Sequence, residues 1–221
     1  MRFFKLLKLE LLNHVRHYND MTTPLWFLIL IITIFSISLQ HQPHLLQESA
    51  PAMIWVSLLL SLLLAFPNLF SHDYESGLLE QVFLSPISLS EWVLIKLLAF
   101  FIASCMPLIL STPLLGLFLH LSYDQIVTLL ISLSLATPSL LLLGALNAAL
   151  TVRLNNNALI LTLLTLPLSI PIVLFGISTS VAQQMGLSTL PPFCFLTALL
   201  LISISLLPFA IAFALKIGTN T

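Results

Sequence analysis

The chain has 221 residues, of which 59% are hydrophobic and 7% charged, with a formal net charge of −1 and a mean hydropathy of +1.11. A water-soluble domain carries about 25% charged residues, so a monomer of this length could not wet its own surface, and the solvent over most of the chain must be lipid. Soluble enzymes, nucleic-acid binders and secreted disulfide scaffolds are thereby excluded, and the near-neutral balance implies no strongly charged partner.

Residues 1–20 read as an amphipathic helix. Phe3, Phe4, Leu7, Leu11, Val15 and Tyr18 fall within about a third of its circumference, and Lys5, Lys8, Asn13 and Arg16 lie opposite, with Leu6, Leu9 and Leu12 mixed in. That pattern predicts a helix lying in the membrane interface with its lysines toward anionic headgroups. The interleaved charges leave no unbroken apolar stretch of the kind a cleavable signal peptide needs.

Pro24 is compatible with the first helical position and opens the first of six predicted spans, at 24–39, 51–70, 92–119, 125–150, 157–178 and 194–216. The third span is long enough to need a tilt or bend, and Pro107 and Pro113 offer places for one. All seven basic residues (Arg2, Lys5, Lys8, Arg16, Lys96, Arg153 and Lys216) then fall on one side, while the opposite loops 40–50, 120–124 and 179–193 carry none. Both termini are therefore expected in the cytoplasm. Trp26, Trp55 and Trp92 stand near span starts, where their rings suit the headgroup level. No repeat or linker divides the chain, so residues 1–221 are expected to form a single membrane domain.

Chemistry of its own is not expected from this chain, and no catalytic, cofactor or metal site is predicted. None of the glycines precedes a lysine, so there is no phosphate-cradling P-loop, and any ATP hydrolysis must belong to a partner. Intramembrane Asp, Glu, Lys or Arg usually marks an ion site; between the span ends none is expected, with Asn147 the most polar residue at depth and Lys96 near enough to the interface to snorkel. A secondary transporter would thus lack its coupling group. Cys105 and Cys194 match no ligand or disulfide spacing and read as small hydrophobes. His41, His44 and His120 on the outer side could in principle ligate haem iron, although Pro43 breaks helical pairing of the first two.

The loop 71–91 carries most of the information. It holds Asp73, Glu75, Glu80 and Glu91; Gly77 permits a sharp turn, 78–84 can form a short helix, and Ser85-Pro86 stops it. Ser88-x-x-Glu91 reads as a capping box opening the third span. The apolar face of Leu79, Val82 and Phe83 predicts a docking helix for a soluble partner, against the alternative of a plain solvated loop. Elsewhere, Gly144-Ala145 with Ala148-Ala149 offers a small face for close helix packing in the fourth span. Pro167 and Pro171, four apart in the fifth span, mark its expected bend.

Gly77-Leu78-Leu79-Glu80-Gln81 followed by Leu84-Ser85-Pro86 resembles the cytoplasmic motif of exporter-type ABC permeases. More closely, the chain resembles the haem exporter protein B (CcmB) family of system I cytochrome c maturation over nearly its full length. Thr23-Pro24-Leu25-Trp26-Phe27, Pro51-Ala52-Met53-Ile54-Trp55-Val56, Ala149-Leu150-Thr151-Val152, Leu166-Pro167-Leu168-Ser169-Ile170-Pro171 and Pro208-Phe209-Ala210 fit that family in order and spacing. Ser76 and Pro67 stand where the family commonly has acidic residues.

The resemblance implies an all-α, six-span, ABC-2-like permease of the bacterial inner membrane. Its implied partners are a separate ATPase subunit (CcmA), a haem-handling membrane protein (CcmC), a small accessory protein (CcmD) and, indirectly, the haem chaperone (CcmE). Haem would be handled by that complex and ATP bound by the ATPase. Gly77, Glu80 and Gln81, with Leu79, Val82 and Phe83, would lie at the ATPase contact. Exporter-type cores pair two six-span units, so a second copy of this chain or a different protein would complete it. The rival readings are a membrane scaffold that only anchors the ATPase and its partners, and another ABC exporter permease.

Overall fold

The computed structural model describes residues 2–16, 18–84, 88–152 and 157–219. Among these residues it has ten α-helices and no strand: α1 Arg2–Arg16, α2 Tyr18–Ser38, α3 Pro43–Ala65, α4 Asn68–Glu75, α5 Leu78–Leu84, α6 Leu89–Phe100, α7 Met106–Phe118, α8 Tyr123–Thr151, α9 Asn157–Gln184 and α10 Leu190–Thr219, with a π-helical turn Phe101–Cys105 joining α6 to α7. Five stretches are long and apolar enough to cross a membrane: Pro43–Glu75, Leu89–Phe118, Tyr123–Thr151, Ala158–Gln184 and Leu190–Lys216. The apolar part of α2, Thr22–Ser38, is a shorter sixth. The described residues thus form the expected all-α fold with several helices fit to cross a membrane. Ser85, Pro86 and Arg153, and the side chains of Arg2, Phe3, Asn13, Val15, Arg16, Tyr18 and Phe83, lie outside the described residues.

Several boundaries differ from the sequence reading. Pro24 lies inside α2 and Pro51 inside α3, so neither is the first residue of its helix. A proline removes one backbone donor and can bend a helix without ending it, and helical residues that include polar Asn19, Asp20, Gln47 and Glu48 precede these two. Pro43 takes the first-turn position instead, and most of the expected loop 40–50 is helical. Pro67 does interrupt: α3 ends at Ala65, Phe66 and Pro67 form a joint, and α4 carries helix into what reads as loop, as far as Glu75. In the third span the accommodation is the π turn Phe101–Cys105, directly before Pro107.

α3 and α8 form the middle of the bundle. α8 packs against α7, α9 and α10, and α3 against α2, α9 and α7. Lipid offers apolar groups no less comfort than a protein core, so close fit must hold these helices together. Small residues supply that fit. A Cβ at Gly144 of α8 would overlap the Phe66 ring, and Ala145, Ala148 and Ala149 are buried beside it, as the small face predicts. A Cβ at Gly176 of α9 would likewise overlap the ring of Trp55. Trp55 is fully buried in that notch and so is closed off from lipid headgroups, while Trp26 is exposed.

Four buried hydroxyls are satisfied locally: Ser61, Thr137, Thr151 and Thr165 each donate to the carbonyl four residues back. Asn147 Nδ2 donates to Thr165 Oγ1 at 2.9 Å, tying α8 to α9.

Candidate functional site: the hairpin between the second and third spans

The segment 68–100 holds a short hairpin at one end of the bundle, and its geometry follows from three features. Gly77 adopts φ +70, with Ser76 N–H donating to His72 O at 3.0 Å and Gly77 N–H to Tyr74 O at 3.2 Å. This is the left-handed cap that ends a helix and reverses the chain. No atom lies within 4 Å of where a Gly77 Cβ would stand, so glycine is required by backbone conformation and not by space. On the far side, Ser88 caps α6 by accepting from Glu91 N–H at 3.3 Å, the side-chain-to-backbone half of the expected capping box.

Between these caps lies α5, a helix of seven residues. Isolated helices shorter than about 12 residues are marginal, so tertiary contact must hold it. Leu79 supplies that contact: it is buried in the core, and Leu78 and Val82 are half-buried against it. Glu80, Gln81 and Leu84 face outward, and Leu84 is 89% exposed. Glu80 also sits in the first turn, where its charge complements the helix dipole. Of the residues singled out for docking, the hairpin therefore turns Leu79 inward and presents Glu80 and Gln81 together on the opposite face.

Beneath the hairpin is a feature that the sequence reading missed. Asp73 of α4 and Lys96 of α6 form a buried ion pair, with side-chain exposures of 2% and 4%. Lys96 does not snorkel; it is enclosed and paired, and the acidic loop is not wholly solvated. Lys96 Nζ also lies 4.0 Å from Glu10 Oε2 of α1, and 5.3 Å from the centre of the Trp92 ring. Phe70, one turn before Asp73, stacks obliquely toward Trp92 with centroids 6.3 Å apart. Phe70-x-x-Asp73 on α4 thus faces Trp92-x-x-x-Lys96 on α6, each a same-face helical spacing.

This pairing explains the rolled orientation of α1. The helix packs on α6 with Leu6, Leu7 and Leu11 half-buried and Glu10 turned in among them, whereas Phe4, Leu9 and Leu12 are exposed alongside Lys5 and Lys8. The inward face is centred on the acidic residue that meets Lys96, and Phe4, expected on the apolar stripe, looks outward.

The remaining candidates are dispersed. Pro167 and Pro171 lie on the exposed side of α9, which is helical throughout. His41 and His44 are exposed, His44 lying 3.7 Å from Glu48, and exposed His120 ends α7 with φ +59. Among the described residues no group of three His, Cys, Asp or Glu is arranged to hold a metal ion.

A family model described as CcmB protein matches residues 1–218. The chain is 40% identical over 205 residues to heme exporter protein B of Pseudomonas aeruginosa, covering 93% of this chain and 92% of that protein. It is 37% identical over 220 residues to heme exporter protein B of Haemophilus influenzae, covering all of both chains. The same-named protein of Escherichia coli K12 is 39% identical over 218 residues, covering 99% of each.

Proposed function

The chain belongs to the CcmB protein family, and on that premise we propose that it is the membrane permease subunit of an ABC-type haem-export assembly for cytochrome c maturation. In this reading it lies in the bacterial inner membrane with both termini and the 68–84 hairpin in the cytoplasm. ATP is hydrolysed on a separate subunit, and the chain converts that event into release of haem or of a haem-loaded chaperone. Its partners are the ATPase CcmA, the haem-handling protein CcmC, the small protein CcmD and, indirectly, the chaperone CcmE, and a second copy of the chain or a different protein completes the membrane core.

The observation that carries the reading is the hairpin. A seven-residue helix is clamped to the bundle by Leu79 and shows Glu80, Gln81 and Leu84 to its surroundings. Leu79 and Val82 anchor the helix, the Gly77 turn sets its direction, and Glu80, Gln81 and Phe83 meet the ATPase. Pro167 and Pro171, each of which removes a backbone donor from α9, mark the point at which the fifth span would bend during the cycle.

The test measures ATP hydrolysis and chaperone release by the purified assembly, with Glu80→Ala plus Gln81→Ala compared with the wild type. Hydrolysis uncoupled from release in an intact assembly is the expected outcome. Normal hydrolysis together with normal release would make the hairpin a plain connection and the chain a scaffold.

A further inference from the structure

We propose that Lys96 is an exchangeable link between the hairpin and the N-terminal helix, with Asp73 and Glu10 as alternative partners for its single ammonium group. Two elements distant in sequence converge on this group, with Asp73 from α4 in direct contact and Glu10 from α1 at 4.0 Å, and Trp92, one turn earlier on α6 itself, lays its ring 5.3 Å away. Two carboxylates thus share one cation in a site where Asp73 and Lys96 are almost wholly enclosed.

A buried charge that loses its partner is strongly destabilising, so a motion that drew Asp73 away from Lys96 would be opposed unless another carboxylate took over. Glu10 is placed to do so. The lysine suits the exchange, being a compact charge with three donors on a flexible four-carbon stem, and the Trp92 face holds its head in place as partners change. Asp73 is equally suited to leave. It lies four residues before the Gly77 turn, on the helix that leads into α5, so outward movement of the hairpin carries it toward water. In one state Lys96 holds the hairpin; in the other it grips α1.

That this exchange is driven by nucleotide rests on the hairpin being the ATPase contact. The shared-cation arrangement itself does not, and the test separates the two. Asp73→Asn, Glu10→Gln and the double variant are made in the full chain and their folded fraction in membranes is measured. Each single variant leaves Lys96 one carboxylate and should stay within about twofold of wild type, whereas the double strands the ammonium and should fall about tenfold or more. Adding Lys96→Met to the double removes the stranded charge and should restore it to within about twofold, which separates a charge effect from a simple failure to fold. Losses that merely add, or a double that Lys96→Met does not rescue, would overturn the exchange.

In the assembled complex, hydrogen exchange of amides 2–16 should then respond to ATP in the wild type and lose that response in Glu10→Gln. A persisting response would overturn the transfer to α1. If the cycle behaves as expected while Glu80→Ala plus Gln81→Ala leaves coupling normal, the docking reading fails and the shared cation stands.

Discussion

Replacing Leu79 by alanine should release α5 without unfolding the bundle. Leu79 is 1% exposed, and a buried Leu→Ala change costs about 2–5 kcal/mol through lost burial and the cavity left behind. In a long span such a loss is shared over many contacts. In α5 it falls on a seven-residue helix whose other inward contacts, Leu78 and Val82, are only half-buried. The penalty should therefore appear as local opening. At about 1.4 kcal/mol per tenfold, amides 78–84 should exchange about 30-fold faster at the lower end, and up to the unprotected rate at the upper. Amides of α3 and α8 should stay within experimental scatter. The assay is hydrogen exchange with mass spectrometry on the chain in nanodiscs, paired with co-purification of the ATPase. On the proposed docking, co-purification should weaken because the partner would now have to order the helix. Leu79→Met, which nearly conserves volume, should restore both readings. Unchanged exchange over 78–84 with the ATPase lost would show Leu79 to be a contact side chain, and the anchoring argument would be wrong.

Two further outcomes follow from the packing and the caps. Gly176→Ala places a methyl group into the ring of fully buried Trp55, an overpacking cost of about 1–3 kcal/mol. At about 2–4 °C per kcal/mol for a chain of this size, thermal unfolding in detergent should shift down by several degrees, and Trp55→Leu in the same chain should recover part of the shift. An unchanged midpoint would mean that α3 and α9 do not meet at this notch. His120 occupies a left-handed position at φ +59, so His120→Gly should hold or slightly raise the midpoint, whereas His120→Val should lower it by about 1 kcal/mol or more in stability. A glycine variant that unfolds earlier than the valine variant would contradict the cap geometry.

The parts of the fold that depend on local chemistry are legible in the sequence. Apolar runs near 20 residues give spans in lipid whatever their neighbours, and Gly77 and Ser88 mark α5 and α6 because each acts on its own backbone. The errors lie where a residue's role is fixed by a partner far along the chain. Trp55 satisfies the rule for interfacial tryptophans, yet its place is set by the absent side chain of Gly176, on another span. Lys96 lies close enough to its helix start to snorkel, but Asp73 offers a better partner than water would. A signal was present, in the matched spacings Phe70-x-x-Asp73 and Trp92-x-x-x-Lys96. The prolines differ in kind: Pro24 and Pro51 suit a first helical turn, but each also fits inside a helix that begins earlier in a polar segment, and the residue itself does not say which.

These non-local contacts bear on how a push at the hairpin would travel. α4 has eight residues, about 12 Å of helix, and lies between two joints, Phe66-Pro67 at one end and Gly77 at the other. The first joint is fixed, because the Phe66 ring sits against Gly144 of α8 and lies 6.4 Å from the ring of Phe100. The second is set by backbone conformation alone, with open space around it. A load on Glu80 or Gln81 would therefore tend to swing α4 about its Phe66 end, and what resists the swing is what holds its inner face: buried Leu69 and the packing of α4 on α8, Phe70 against Trp92, and Asp73 against Lys96. The ring contact is short-ranged and non-directional and can slide. The ion pair cannot lengthen without exposing a charge or finding it another partner, and Glu10 is the carboxylate already at hand. On this geometry the load reaches α6 and α1 through Lys96, while α3 stays braced at Phe66.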